Sequence, residues 1–136
     1  IEPRFAHRYI DGMGLGIDFT AGTLLAQAQQ AGLPWDVAKG FDNSAAVSQM
    51  LPFNTDDDIC HAHFALCKNG QRVQHGNMCD MLTDYRQLVA IASRYFTLRT
   101  GDIIFCGTPE ATCHVSIGDR LTAQLDDAEL MNFNIR

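Results

Sequence analysis

The chain has no cluster of basic residues. Its 10 Lys and Arg are scattered among 16 Asp and Glu, and 136 residues carry a net charge of −6. Nucleic-acid binding needs a basic patch to displace phosphate counterions, so that class of partner is not expected. No apolar stretch approaches the roughly 20 residues that span a bilayer. No charged-then-apolar leader is visible, so neither membrane insertion nor secretion is expected. Close cysteine pairs are missing too: Cys60, Cys67, Cys79, Cys106 and Cys113 are odd in number and form no C-x-x-C. Zinc sites use paired close spacings and secreted scaffolds use paired disulfides, so a reduced, cytoplasmic protein is expected. Glutamate is scarce, with only Glu2, Glu110 and Glu129, and no E-x-E. What remains is globular in composition, 46% hydrophobic and 19% charged, and of one-domain length. The first residue is Ile1 rather than Met, which reads as a processed or truncated chain.

Along the chain, Glu2-Pro3 opens a short helical run, since proline suits a first helical turn. Gly12, Gly14 and Gly16 alternate with Met13, Leu15 and Ile17. This predicts a strand with one nearly bare face that lets another backbone or a ligand come close. It is not a phosphate loop, because the third glycine is misplaced and a carboxylate follows. Residues 20–31 read as a helix stopped by Gly32 and Pro34, and residues 37–49 as irregular. Residues 54–58, Asn-Thr-Asp-Asp-Asp, lack the spacing of a calcium loop and read as a solvated surface loop.

Residues 59–67 alternate, and Asn69-Gly70 is a hairpin signal with residues 71–74 as the return strand. On such a strand His61 and His63 share one side about 7 Å apart. They are a pair of metal ligands or a half-exposed strand face, and the plain face is favoured because no third ligand is near in sequence. Thr83 or Asp84 caps a helix to about residue 96, whose stripe of Tyr85, Leu88, Val89, Ala92, Tyr95 and Phe96 is expected in the core. Residues 103–106 are continuously apolar and read as a strand buried on both faces. Residues 120–125 and the alternating Met131, Phe133 and Ile135 read as two strands joined at Asp126-Asp127. Frequent turns and two main helices predict a strand-rich α+β domain.

Four segments then fall in a recognisable order: Gly16-Ile-Asp-Phe-Thr-Ala21, Leu33-Pro-Trp-Asp-Val-Ala-Lys-Gly-Phe-Asp42, Gln74-His-Gly-Asn-Met-Cys-Asp-Met81, and the run from Thr97 to Glu110. From about Ala6 to Arg136 this order resembles the fumarylacetoacetate hydrolase (FAH) superfamily, C-terminal portion. It looks close to the small bacterial acylpyruvase and 2-hydroxyhepta-2,4-diene-1,7-dioate isomerase-type members. The resemblance implies an FAH-like mixed β-roll over residues 1–136, a single catalytic domain lacking its N-terminal part. It implies a divalent-metal-dependent hydrolase, decarboxylase or isomerase acting on carbon–carbon bonds of small 2-oxo or acylpyruvate-type acids, and a homodimer.

In that family the neighbouring 2-oxo and carboxylate oxygens of the substrate chelate Mg2+ or Mn2+, and the metal stabilises an enolate. The resemblance makes Asp18 a metal ligand, although without the surrounding motif it reads as a helix cap. It makes Lys39, between the small Ala38 and Gly40, a catalytic and substrate-binding cation beside developing negative charge. Thr108, in a turn, becomes a substrate-carboxylate contact, where turn chemistry alone is the plainer reading.

There are departures. The family's two further metal glutamates and its His-Glu pair lie in segments before those seen here. Its T-A-R-D-L-Q run is Thr20-Ala-Gly-Thr-Leu-Leu25, and its G-T-P-x-G-V-G run is Gly107-Thr-Pro-Glu-Ala-Thr-Cys113. One carboxylate holds Mg2+ poorly, so the chain by itself is expected to be a weak or inactive catalyst. The alternative is a diverged, non-catalytic structural or dimer-forming protein of the same fold.

Overall fold

The two residues of the Asn69-Gly70 turn both have positive φ, 53° and 81°. This is the backbone of a tight hairpin whose twist matches its strands. In the computed structural model, which describes residues 1–52, 59–109 and 112–136, this turn joins β3 (His63–Lys68) to β4 (Gln71–Asn77). A second hairpin turns at Asp126, also at positive φ, and joins β5 (Arg120–Leu125) to β6 (Ala128–Asn134). The hairpins meet through antiparallel pairing of β3 with β5, giving the order β4-β3-β5-β6.

The chain divides into two compact units: residues 1–15 with 49–136, and residues 16–48. The first holds this sheet. Leu121, Ala123 and Leu125 are buried at alternate positions of β5. Leu66 lies opposite Ala123, and Ala123 opposite Met131, so period-two alternation gathers them on one apolar face. Phe64 lies on that face opposite Gly76. A Cβ on Gly76 would fall 2.5 Å from the Phe64 Cζ, so only glycine leaves room for the ring. Helix α3 (Tyr85–Tyr95) is capped by Asp84, whose side chain accepts from the Arg86 N–H, and it packs against the 3-10 helix Pro3–Tyr9. At Gly12 the expected close approach of backbones is present: a Cβ there would meet the Leu51 carbonyl oxygen at 2.8 Å.

The second unit holds β1 (Gly16–Asp18) paired antiparallel with β2 (Ala45–Val47). It also holds α1 (Gly22–Ala31) and the single-turn α2 (Asp36–Lys39). Gly32 ends α1 in the left-handed conformation, φ 64°.

The α+β class, the two main helices and both hairpins match expectation. Four readings need correction. Residues 37–49 are not irregular, since they contain the end of α2 and all of β2. The strand expected from residue 59 begins at His63. Ile59 and Ala62 are both buried, and the Ala62 N–H donates to the Ile59 carbonyl at 3.3 Å. That three-residue spacing is helical, so His61 sits in a turn and shares no strand face with His63. The aromatic stripe of α3 is buried at Tyr85 and Val89, but Tyr95 is 78% and Phe96 70% exposed. Residues 103–106 belong to no strand, and Ile103 is 52% and Phe105 44% exposed. An apolar run states a demand for burial; no described strand of this chain meets it. The acidic residues 54–58 lie outside the described residues.

Candidate functional site

The second unit is folded so that one lysine is brought to one aspartate. Asp18 ends β1, held in register opposite Ala45, and the next residue, Phe19, donates its N–H to the Ser44 carbonyl at 2.7 Å. The chain then passes Thr20, and the Ala21 N–H donates to the Ala38 carbonyl at 3.0 Å. That bond fixes the start of α1 against α2, with Ala38 buried. A larger residue than alanine would push the two apart. Lys39, next in the chain, therefore projects beside Asp18 and Thr20.

The Lys39 Nζ donates to Asp18 Oδ2 at 2.6 Å and to Thr20 Oγ1 at 2.7 Å. The Lys39 side chain is 27% exposed and the Asp18 side chain 49%, so the pair is open to solvent on one side. The N-cap of α1 is Ala21, without a side-chain cap bond, so Asp18 is not spent as a helix cap. Thr20 is the member that the sequence reading missed. Its signal was the two-residue spacing from Asp18, which puts both side chains on one side of an extended backbone.

Thr108 belongs to the first unit. It follows Gly107, whose φ of 107° is a conformation that side chains disfavour, and it is exposed. Beside it the Cys106 Sγ donates to the Ile104 carbonyl at 3.6 Å, and burial pushes this thiol above its ordinary range. Glu110 and Ala111, which continue this run, lie outside the described residues.

The donor set for a divalent cation is thin. Among the described residues no group of three or more His, Cys, Asp or Glu side chains lies close enough together to hold a metal ion. Mg2+ and Mn2+ take about six oxygen ligands. Asp18 offers one carboxylate, and one of its oxygens already meets an ammonium. The described residues alone do not fit such a cation. Among them, too, no helix is long and apolar enough to cross a membrane.

Known proteins share this fold. The chain is 35% identical over 122 residues to oxaloacetate tautomerase YcgM of Escherichia coli, covering 89% of this chain and 56% of that protein. The crystal structure of a putative fumarylacetoacetate hydrolase family protein from Yersinia pestis superposes with a TM-score of 0.93 at 36% identity, over 100% of this chain and 64% of that one. Fumarylpyruvate hydrolase from Pseudomonas aeruginosa, solved in complex with Mn2+ and pyruvate, superposes with a TM-score of 0.90 at 29% identity, over 99% and 58%. The chain thus spans 56% to 64% of the length of these proteins. The profile described as "Fumarylacetoacetate (FAA) hydrolase C-terminal" matches residues 1–135. The chain belongs to the fumarylacetoacetate hydrolase family.

Proposed function

We propose that this chain supplies the cationic part of a site for small 2-oxo acids of the acylpyruvate type, in a divalent-metal-dependent enzyme that hydrolyses or isomerises them. The observation that carries the reading is the Lys39 ammonium held by Asp18 and Thr20. An ammonium has three donors; two are used in these bonds, and the third is assigned to a substrate oxygen. Held by neighbours on folded elements, it needs little reorganisation when negative charge develops on that oxygen. Lys39 is the catalytic and substrate-binding residue in this reading. Asp18 is a metal ligand for Mg2+ or Mn2+, and the other oxygen ligands come from groups outside the described residues. Thr108, considered by itself, offers its exposed hydroxyl to a substrate carboxylate. Cleavage of a carbon–carbon bond, homodimer assembly and a cytoplasmic location belong to the same reading, the last supported by five free thiols.

Paramagnetic broadening by Mn2+ in NMR spectra of the 136-residue chain tests this, because it maps even weak binding. Broadening should centre on Asp18, Thr20 and Lys39, deepen when oxalate is added as a chelating substrate mimic, and vanish in Asp18→Asn. Broadening centred elsewhere, or unchanged in that variant, overturns the reading. A second reading is a non-catalytic module of the same fold, favoured by the absence of any group of three or more potential metal ligands among the described residues. Absence of any Mn2+ effect at this cluster supports it.

A further inference from the structure

The segment Gln74 to Met81 runs from the second half of β4 into a 3-10 helix. Its Asn77 caps the 3-10 helix Met78–Asp80 by accepting from the Cys79 N–H at 2.9 Å. The Cys79 thiol donates to the same Asn77 oxygen, also at 2.9 Å. One amide therefore fixes both the backbone and the sulfur of Cys79. The Sγ lies 3.9 Å from His61 Nδ1, a long contact that suits the larger sulfur atom. The two segments are tied together by the Met78 N–H, which donates to the Ala62 carbonyl at 3.0 Å. The turn that removes His61 from the β3 face thus delivers it to Cys79.

The other cysteines differ. Cys60, Cys67 and Cys113 are half-buried. Cys106 is exposed, as Cys79 is, but its Sγ donates to the Ile104 carbonyl at 3.6 Å. Cys79 and His61 are both exposed. Reactive cysteines are accessible thiols beside a group that takes the proton or stabilises the thiolate, whereas buried ones are inert.

We propose that His61 and Cys79 form a thiol–imidazole pair, and that Cys79 is a modification site of this chain, open to hydroperoxides and other small electrophiles. The pair uses the His61 tautomer protonated at Nε2, which leaves Nδ1 as the acceptor. The thiol turns from Asn77, and its proton passes to Nδ1 as the sulfur attacks the distal oxygen of a hydroperoxide. The O–O bond breaks. The leaving oxygen takes the proton from the imidazolium and departs as alcohol or water. Sulfur loses two electrons and becomes a sulfenic acid, and the peroxide is reduced by the same two.

The test is site-resolved mass spectrometry of the whole, natively folded chain, first under limiting iodoacetamide and then under limiting hydrogen peroxide. Cys79 should be alkylated first of the five cysteines and should be the first to gain one oxygen. An ordinary thiol is a few per cent thiolate at neutral pH, so full deprotonation gains at most about thirtyfold. His61→Gln should accordingly slow Cys79 by about tenfold and leave Cys67 and Cys113 unchanged. Faster reaction at another cysteine overturns the proposal, as does a Cys79 rate that His61→Gln leaves unaltered. Should that variant quicken all five cysteines, as unfolding would, the ranking in the unsubstituted chain decides.

Discussion

Lys39 and Asp18, 21 residues apart in sequence, meet at 2.6 Å. The contact closes the second unit on itself, because β1 carries one partner and α2 the other. Its energetic worth is small. With 27% and 49% of the two side chains exposed, water screens the pair, and its coupling should be about 0.2–1 kcal/mol. Urea unfolding of Asp18→Asn, Lys39→Met and the double variant measures it. Non-additivity well beyond that range would mean that the cluster holds the unit together and is not merely positioned by it. Lys39→Met should also remove the oxalate enhancement of Mn2+ broadening while leaving the fold intact.

Asp119, beside the start of β5, contributes to the expected acid response. Its carboxyl is held below the ordinary aspartate value of 3.8, first by the Asn69 side-chain amide, then by the Ser116 N–H and the Lys68 charge, with burial acting the other way. Asn69 Nδ2 donates to Asp119 Oδ1 at 2.7 Å. A carboxyl lowered by folding stabilises fully above its unfolded pKa, and that stability fades as pH falls through the lower folded value. Asn69→Gly keeps the positive φ but removes the amide. The Asp119 titration, followed by carbon NMR, should then move up towards 3.8, and the chain should unfold at a higher pH on acidification. An unmoved titration would show that the Asn69 bond is not what lowers it.

Gly76 and Phe64 make a steric prediction. A methyl group at residue 76 would stand 2.5 Å from the ring's Cζ and 2.9 Å from Cε1. Gly76→Ala should cost about 1–3 kcal/mol in urea unfolding. Adding Phe64→Leu should recover part of that cost, giving clear non-additivity. If the two costs simply add, the ring is not what excludes the methyl.

Gly32 makes the complementary case. A Cβ there meets nothing within 4 Å, but φ is +64°. Gly32→Ala should still destabilise, by about 1 kcal/mol, through the backbone alone. Gly32→Asn, which tolerates that conformation better, should cost less. Equal costs would count against a backbone origin.

Part of this structure was legible in the sequence. Gly32, Asp84 and the Asn69-Gly70 turn are local devices, each readable within a few residues, and each stands where it was expected. Asp18 and Lys39 could be named from their motifs, but their contact rests on the Ala21–Ala38 bond, which no periodicity reveals. Thr20 was hidden because the sequence reads it as the first residue of the helix over residues 20–31, whereas α1 begins at Gly22. Residues 103–106 misled for a different reason. Apolar character shows that a segment seeks cover, and it does not say which strand provides it. His61 was drawn into β3 because alternation runs unbroken over residues 59–67, whereas the burial of both Ile59 and Ala62 shows that the run opens with helical spacing and becomes a strand only at His63.

The order β4-β3-β5-β6 bears on how the chain acquires its shape. Each hairpin closes over a few residues and can form within microseconds. The seam between them joins Phe64 to Leu125 and must close a long loop that includes α3. Loop-closure entropy makes that docking the slow event. Substitutions along the β3–β5 seam should therefore alter the folding rate more than substitutions at either turn, whatever they do to final stability.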